Sequence, residues 1–508
     1  MPLINHSIPN LINGVSQQSE SLRLGSQAES QVNGLASVVE GLKKRTPTEF
    51  IKRISTSTLT NPFIHTINRD SNERYIVIIT TNDIEVYGID GTQYTVNKPS
   101  GTAYLNESNA KDTFEALTIA DFTFIINKNK TVAMDSTVTA SRPFEAIYSV
   151  TQGVSQTEYN LIINGTTYTY TTTSTNSSYQ TTEIVDQIVS QISGLSGFTV
   201  TDLGSDIHIS NSSDFTIKAT DGFGNQASQV VKDSAQKFSD LPTVAPNGFE
   251  IEVTGDNSNA FDNYYVKWVS DNSNDGGHWK ETQQSGNKDS LDTATMPHVL
   301  IRQADGNFRF TPANGSTYTI SGTQYTVPQY GSRVAGDLTS SPNPSFVDQK
   351  MSDIFFHRNR LGFISGESIV MSRAGEFFKF FPETTTTILD ADPIDVNVSH
   401  VKVSNLRHAI PFNEELLLFS DQTQFIMAGA NILTPSNVII NATTEFETSL
   451  NAKPVSAGRN VFFAFNKGNF TGMREYFVDA DSDTNDADDI TAAVPKYIPK
   501  NVFKLAIA

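Results

Sequence analysis

Several groups of residues in this sequence have types and spacings that could do chemistry. Asp221-Gly222-Phe223-Gly224-Asn225-Gln226-Ala227 has the glycine spacing of a dinucleotide fingerprint, in which backbone amides at a helix start hold a pyrophosphate. Ser234-Ala-Gln-Lys237 and Ser270-Asp-Asn272 match two of the three motifs of penicillin-recognising serine enzymes, where Lys activates a Ser nucleophile. Asp479-Ala-Asp-Ser-Asp483 begins like a calcium loop, which needs alternating oxygen ligands, Gly at position six and Glu at twelve. His400 and His408 lie eight residues apart, and a zinc site would need a third ligand. Fifty-five acidic residues also leave open a facing pair of carboxylates for glycoside hydrolysis, without locating one.

Each motif has a simpler reading. The strand before Gly222, Phe215-Thr-Ile-Lys-Ala219, alternates apolar and polar, whereas a Rossmann strand is buried on both faces and continuously apolar. The third serine-enzyme motif, Lys-Thr-Gly, is absent, and Thr484 and Ile490 occupy the calcium loop's Gly and Glu positions. The sequence contains no cysteine, so thiolate catalysis, Cys-based metal sites and disulfides are excluded. The expectation is no catalytic residue, no cofactor and no bound metal.

The elements that position these residues read as strands. One hairpin template occurs five times: Tyr75–Ile79 with Ile84–Tyr87, Phe122–Ile126 with Thr131–Met134, Leu361–Ser365 with Ile369–Met371, Leu416–Phe419 with Phe425–Met427, and Val461–Phe465 with Phe470–Phe477. Their starts are separated by 47, 239, 55 and 45 residues. Propeller blades repeat at about 40–50 residues, which makes the long gap an insertion.

Inside that gap, Ile184, Val185, Ile188, Val189 and Ile192 form one helical stripe after a capping Thr181 or Thr182. The spacing of Ala227, Val230, Val231, Ala235 and Phe238 predicts a second helix over Gln226–Ser239. Three copies of a Tyr-Thr motif, at Ile89–Val96, Ile163–Tyr170 and Ile320–Val327, carry Asp-Gly, Asn-Gly or Ser-Gly pairs suited to tight hairpin turns. Turn chemistry accounts for them without a sugar-binding role.

Composition bounds the rest. At 508 residues the chain can hold about three domains, and its net charge of −19 offers no basic footprint for gripping nucleic acid. The start, Met1-Pro-Leu-Ile-Asn-His-Ser7, does not resemble a signal peptide, and no apolar run approaches the length of a membrane span. A soluble protein made without a signal peptide is expected.

Gly14-Val-Ser-Gln-Gln18, Gln31-Val-Asn-Gly34 and Glu40-Gly-Leu-Lys-Lys-Arg-Thr-Pro47 resemble the N-terminal signature of one family, the tail nozzle proteins (tail tubular protein B) of short-tailed podovirus bacteriophages. The likeness continues in order through Ala245–Gly248, Asp262–Val266, Met296–Arg302, Asp305–Phe308, Asp353–Phe363, Asp390–Asp395, Gly458–Val461, Asp489–Thr491 and Val494–Pro499. Ser19 stands where the family usually has Pro, and the family's chains are longer than this one.

The resemblance implies a non-enzymatic virion protein of the phage tail, assembled in the host cytoplasm. Six copies would form a tube below the tail adaptor (tail tubular protein A), tail fibres would attach near that junction, and genomic DNA would pass through without tight binding. The expected fold is mainly β: a β-propeller-like core interrupted by an inserted α+β region and preceded by an extended arm. Expected boundaries are 1–55 for the arm, 56–149 for the first part of the propeller-like domain, 150–255 for the α+β insertion, 256–345 for a β-rich connecting region, and 346–508 for the second part. Against the longer chains of the family, either the closing part of the propeller-like domain is incomplete at the C-terminus or this member is short. Within the arm, Gln17, Gln18, Asn33, Glu40, Lys43 and Arg45 are the candidate contacts to a neighbouring copy or to the adaptor. The alternative function is a tail-associated polysaccharide-degrading enzyme that uses a carboxylate pair.

Overall fold

In the computed structural model, the described residues are 10–255, 263–271, 276–401, 404–429, 432–482 and 484–507. The chain is mainly β, as its alternating apolar runs predict. Five sheets, A to E, carry the frame, each built on an antiparallel four-stranded meander, with Val96–Asn97 added to sheet B as a short parallel edge. Sheet A is Phe63–Asn68, Arg74–Thr80, Asp83–Gly88 and Gln93–Tyr94 in sequential order. Sheets C (Asp353–His357, Arg360–Ser365, Ser368–Met371, Ile394–Asn397) and D (His408–Phe412, Glu415–Phe419, Gln424–Ala428, Ile439–Thr444) repeat that meander. Sheet E (Val455–Ala457, Asn460–Lys467, Phe470–Val478, Asn485–Asp489) does so too.

Sheet B is interrupted. Its strands Phe114–Ile119 and Phe122–Asn127 form a hairpin, and the next strand in the sheet, His298–Arg302, pairs directly with Phe122–Ile125 before Phe308–Pro312 completes the meander. The excursion therefore leaves after Asn127 and returns at His298. This corrects the second predicted hairpin: Phe122–Ile126 pairs with the strand before it, while Thr131, Val132 and Met134 make single bridges to Lys350, Val347 and Leu291.

The sheets stack because their strands are apolar on both faces, and successive side chains point to opposite faces. Ile125 and Leu300 of sheet B join a core with Val77, Ile79 and Val86 of sheet A, while their neighbours Phe124, Ile126, Val299 and Ile301 join Ile354 and Phe363 of sheet C. Phe355 and Ile364 of sheet C pack with Leu416 and Leu418 of sheet D, and Leu417 and Phe419 of sheet D with Val461, Phe463 and Tyr476 of sheet E. Four cores thus join A to B, B to C, C to D and D to E.

Within the excursion, the helix Thr181–Ile192 buries Ile184, Val185, Ile188 and Ile192 as its stripe predicts. Its N-cap is Gln180, without a side-chain capping bond, and Thr181 Oγ1 lies 2.8 Å from Ser205 Oγ instead. The second predicted helix does not form. Ser228–Val231 is a strand paired with Ile147–Val150, and Ser234–Ala235 pairs with Glu252 and Val253. The β-branched Val230-Val231 pair suits a pleated sheet, and the partner strand offers backbone bonds along its length. A sheet of Ser234–Ala235, Glu250–Val253, Tyr264–Ser270 and Gly277–Thr282 then leads back toward sheet B. Glu281 ties this excursion to the loop between the third and fourth strands of sheet C, accepting the Thr385 N–H at 2.7 Å and its hydroxyl at 3.0 Å.

Two buried arginines pin irregular backbone. Arg360 Nη1 donates to the carbonyls of Ser372 (2.9 Å), Ala391 (3.2 Å) and Asp392 (2.5 Å), and Nη2 to that of Asp390 (2.7 Å). Arg333 holds the Ser341 and Lys288 carbonyls, each at 2.7 Å. A lysine cannot reproduce the guanidinium fork, and buried carbonyls left unpaired cost about 1–3 kcal/mol each. Arg360→Lys is therefore expected to lower stability by about 2 kcal/mol in urea denaturation, with the fold retained.

Candidate functional site

The arm begins anchored to the protein's own far end. Val15 bridges Ala28, and Ser16, fully buried, donates its N–H to the Ala28 carbonyl. Gln17 N–H donates to the Ala493 carbonyl at 2.8 Å, and its Oε1 accepts from Lys496 N–H at 2.8 Å. Gln18 accepts the Ser16 hydroxyl at 3.3 Å. Gln17 thus spends both its backbone and its side chain on residues 493–496 of the same chain.

A hairpin follows, Gly34–Ser37 with Gly41–Lys44. Arg45 N–H donates to the Asn33 carbonyl (2.8 Å) and its Nε to Asn33 Oδ1 (3.3 Å), while Lys43 pairs with Glu40 across the turn. Gly41 closes the turn at φ +74°, a left-handed conformation that favours glycine. Asn33, Glu40, Lys43 and Arg45 are therefore brought together as two local pairs, apart from Gln17 and Gln18.

The sequence reading missed the apolar side chains around them. Val38 is 83 % and Val39 92 % exposed at the turn, with Val32, Leu35, Leu42, Phe50, Ile51 and Ile54 also in solvent. A lone two-stranded hairpin is marginal in water, and a contiguous exposed apolar patch marks an interaction surface. The signal available in sequence was the pair Val38-Val39 set at a turn ending in Glu-Gly, where polar residues are the rule. Beyond the hairpin, Lys52 Nζ reaches the Gly91 carbonyl at 2.9 Å and returns the arm to sheet A.

The first strands of sheets A, B, D and E line a cavity of about 720 Å³, with Lys504 and Phe503 across it. Asp353, fully buried on sheet C, binds Lys453 Nζ at 2.6 Å through Oδ1 and the Ala409 N–H at 2.9 Å through Oδ2. Burial disfavours the Lys453 ammonium, but Asp353 and Glu115 outweigh it and raise its pKa. His65 Nε2 lies 2.8 Å from Thr118 Oγ1. His408 is buried, and neither of its ring nitrogens has a hydrogen-bond partner of good geometry.

The chemically suggestive motifs are structural. Asp221 is partly buried, which disfavours its charge, yet the N–H groups of Phe223, Ala227 and Ser228 hold its pKa below the ordinary value. With Gly224 and Asn225 at positive φ, the glycine-spaced segment is a turn between strands. Ser234 lies in a short strand, and Asn272 of the Ser270 motif falls outside the described residues. Asp479 accepts the N–H groups of Ser482 and Asp481, which lower its pKa, and so caps the turn before Asn485–Asp489; Asp483 is outside the described residues. His400 stands 3.8 Å from Glu445. Among the described residues no group of three or more His, Asp or Glu is placed to hold a metal, and no helix is long and apolar enough to cross a membrane. Asp186 hydrogen-bonds Asp202, which raises its pKa, on the open surface of the excursion.

The described residues thus form a β scaffold whose signature residues lock backbone, joined to an arm that leaves valines in water. The chain matches the family described as bacteriophage nozzle protein over residues 1–508, and it belongs to that family. It is 36 % identical over 525 residues to tail tubular protein gp12 of Escherichia phage T7. The match takes in 99 % of this chain and 63 % of that relative's length. Among solved structures, a protein from Lactobacillus plantarum aligns over 54 % of this chain and 77 % of its own, at 11 % identity and a TM-score of 0.19, too low to bear on the fold.

Proposed function

We propose that the protein is a wall segment of the tail conduit: six copies form a ring below the tail adaptor, with fibres attached near that junction, and the genome leaves through the bore. The observation that carries this reading is the family match along the entire chain. The five meanders are blades of a propeller, in order A to E, and the excursion from Asn127 to His298 is an insertion in the second blade that packs against neighbours. On this reading the arm runs to about residue 55, and the insertion takes in the α+β region 150–255 but reaches on to His298, where the strands His298–Arg302 and Phe308–Pro312 return to the second blade. The N-terminal arm, with Gln18, Asn33, Glu40, Lys43 and Arg45, forms an intermolecular contact, and Gln17 positions its base.

Electrostatics supports the role. A conduit should not grip phosphate, and a chain of net charge −19 repels it. Passage of DNA then depends weakly on sequence. Imaging of assembled particles tests both points: a ring with more acidic than basic side chains on its bore is expected, and a bore lined mainly by Lys and Arg would refute the proposal. Deleting residues 10–45 should abolish incorporation into particles while leaving the sheet frame folded, scored by circular dichroism and by particle composition.

A further inference from the structure

Two surfaces of this protein lack what their chemistry calls for. The first is the hairpin at residues 34–44. Residues 31–54 carry five cations (Lys43, Lys44, Arg45, Lys52, Arg53) against Glu40 and Glu49 in a chain whose total is −19. Lys44 has no acidic partner among the described residues, and Val38, Val39, Leu35 and Leu42 stand in solvent beside it.

The second is the outward face of sheet E. Its inward face, Val461, Phe463, Tyr476 and Ala487, is buried against sheet D. On the outward face the register sets Glu475 directly opposite Asp488 and Phe477 opposite Asp486. Like charges facing each other across a ladder are destabilising. Asn460 gives Glu475 one hydrogen bond at 2.6 Å, and neither Asp486 nor Asp488 has a cation among the described residues. Acidic residues on an edge strand ward off stray pairing, which accounts for Asp486 and Asp488 but not for Glu475, one strand further in. Phe462 and Phe477 on this face are only partly covered.

We infer that these surfaces are partners: the hairpin of one copy docks on the outward face of sheet E in a second copy. Lys44 and Arg45 meet Glu475 and Asp488, and the valines cover Phe462 and Phe477. The contact uses two different patches, so it is heterologous and generates a ring when the rotation closes. Charge complementarity of this kind fixes partner and register. The inference rests on the ring reading above and adds which surfaces make it.

A charge swap tests it. One variant carries Lys44→Glu and Arg45→Glu, the other Glu475→Lys and Asp488→Lys, with Lys44, Arg45 and Asp488 exposed and Glu475 half-buried. Particle mass is measured for the full chain, alone and with the adaptor, after denaturant midpoints confirm folding. Each variant alone is expected to lose the ring under conditions where the unaltered chain assembles. An equal mixture should regain it, because every contact then joins opposite charges in alternating copies. If the variants ring as readily as the unaltered chain, or the mixture fails to recover, the pairing is wrong. If the hairpin variant rings normally but no longer binds adaptor, the occupant is the adaptor and the inference falls. If the unaltered chain never rings, even with adaptor, the ring reading itself has failed.

Discussion

Replacing Lys453 with methionine is expected to cost about 3 kcal/mol of folding stability, the low end of the range for removing one partner of a buried ion pair, because Asp353 is fully buried while the Lys453 side chain keeps 30 % of its exposure. The reason is what remains. Asp353 has no exposed surface, and without Lys453 its carboxylate keeps, among the described residues, the Ala409 N–H 2.9 Å away. Lys453 also donates to the Ile354 carbonyl at 3.1 Å, so one ammonium fastens the lead into sheet E onto sheet C while Asp353 holds sheet D. Three sheets meet through two side chains. The double variant Asp353→Asn with Lys453→Met should recover much of the loss, because no buried charge is then stranded, and the coupling appears in a double-mutant cycle of urea midpoints. A Lys453→Met cost below about 1 kcal/mol would show that the pair does not hold the sheets.

The family-signature segments become intelligible in the same terms. Asp353 and Arg360 come from one of them, Asp390–Asp395 from another, and Arg360 binds the carbonyls of Asp390 and Asp392. Asp395 Oδ2 in turn accepts the Ser345 N–H at 2.7 Å. These residues lock connections between sheets. The carboxylates and arginines of these segments hold backbone rather than carry acid–base chemistry.

Much of the frame was legible in sequence because its signal is local. Four of the five hairpins place two apolar runs on either side of a short turn, and each run pairs with the next. The hairpin at Phe122 failed because its second partner, His298–Arg302, lies beyond the whole excursion. No local pattern marks a strand whose neighbour is that far along the chain. The false helix at Gln226–Ser239 had a different cause. A short apolar run fits both periods, and the choice fell to the backbone bonds offered by Ile147–Val150. The Tyr-Thr turns were readable from type alone: Asn164 with Gly165, and Ser321 with Gly322, take positive φ as a tight hairpin requires. At the arm, the polar residues carry the sequence signal most plainly, and the Val38-Val39 pair at its turn is easily passed over, because an apolar side chain reads as core until its surroundings are known.

Stability should fall steeply as pH drops from about 6.5 toward 4.5, chiefly through histidines rather than carboxylates. Burial first of all lowers the pKa of His65, His298 and His357 to about 4 and of His408 to about 3. Nearby cations add to this: Lys504 and Lys453 at His65, Lys130 at His298, Arg358 at His357, and Lys453 and Lys128 at His408. Above the unfolded value near 6.5 both states are neutral and these groups contribute nothing. Below it the unfolded chain takes up protons that the folded chain refuses, so each such histidine removes up to about 1.4 kcal/mol per pH unit until its folded pKa is reached. Asp206, Asp395 and Glu250, whose pKa values burial raises, pull the other way near the bottom of this range, because the folded state then binds the proton more readily. The steepest loss therefore lies between pH 6 and 5. Urea midpoints across pH 4.5–8 check the profile. His408→Leu is the discriminating variant, since the imidazole makes no hydrogen bond of good geometry and its loss should cost little at pH 7.5 while removing one proton's worth of slope below 6.5. A profile flat from pH 7 to 5, or a slope unchanged by that substitution, would show that these histidines titrate as they do in the unfolded chain.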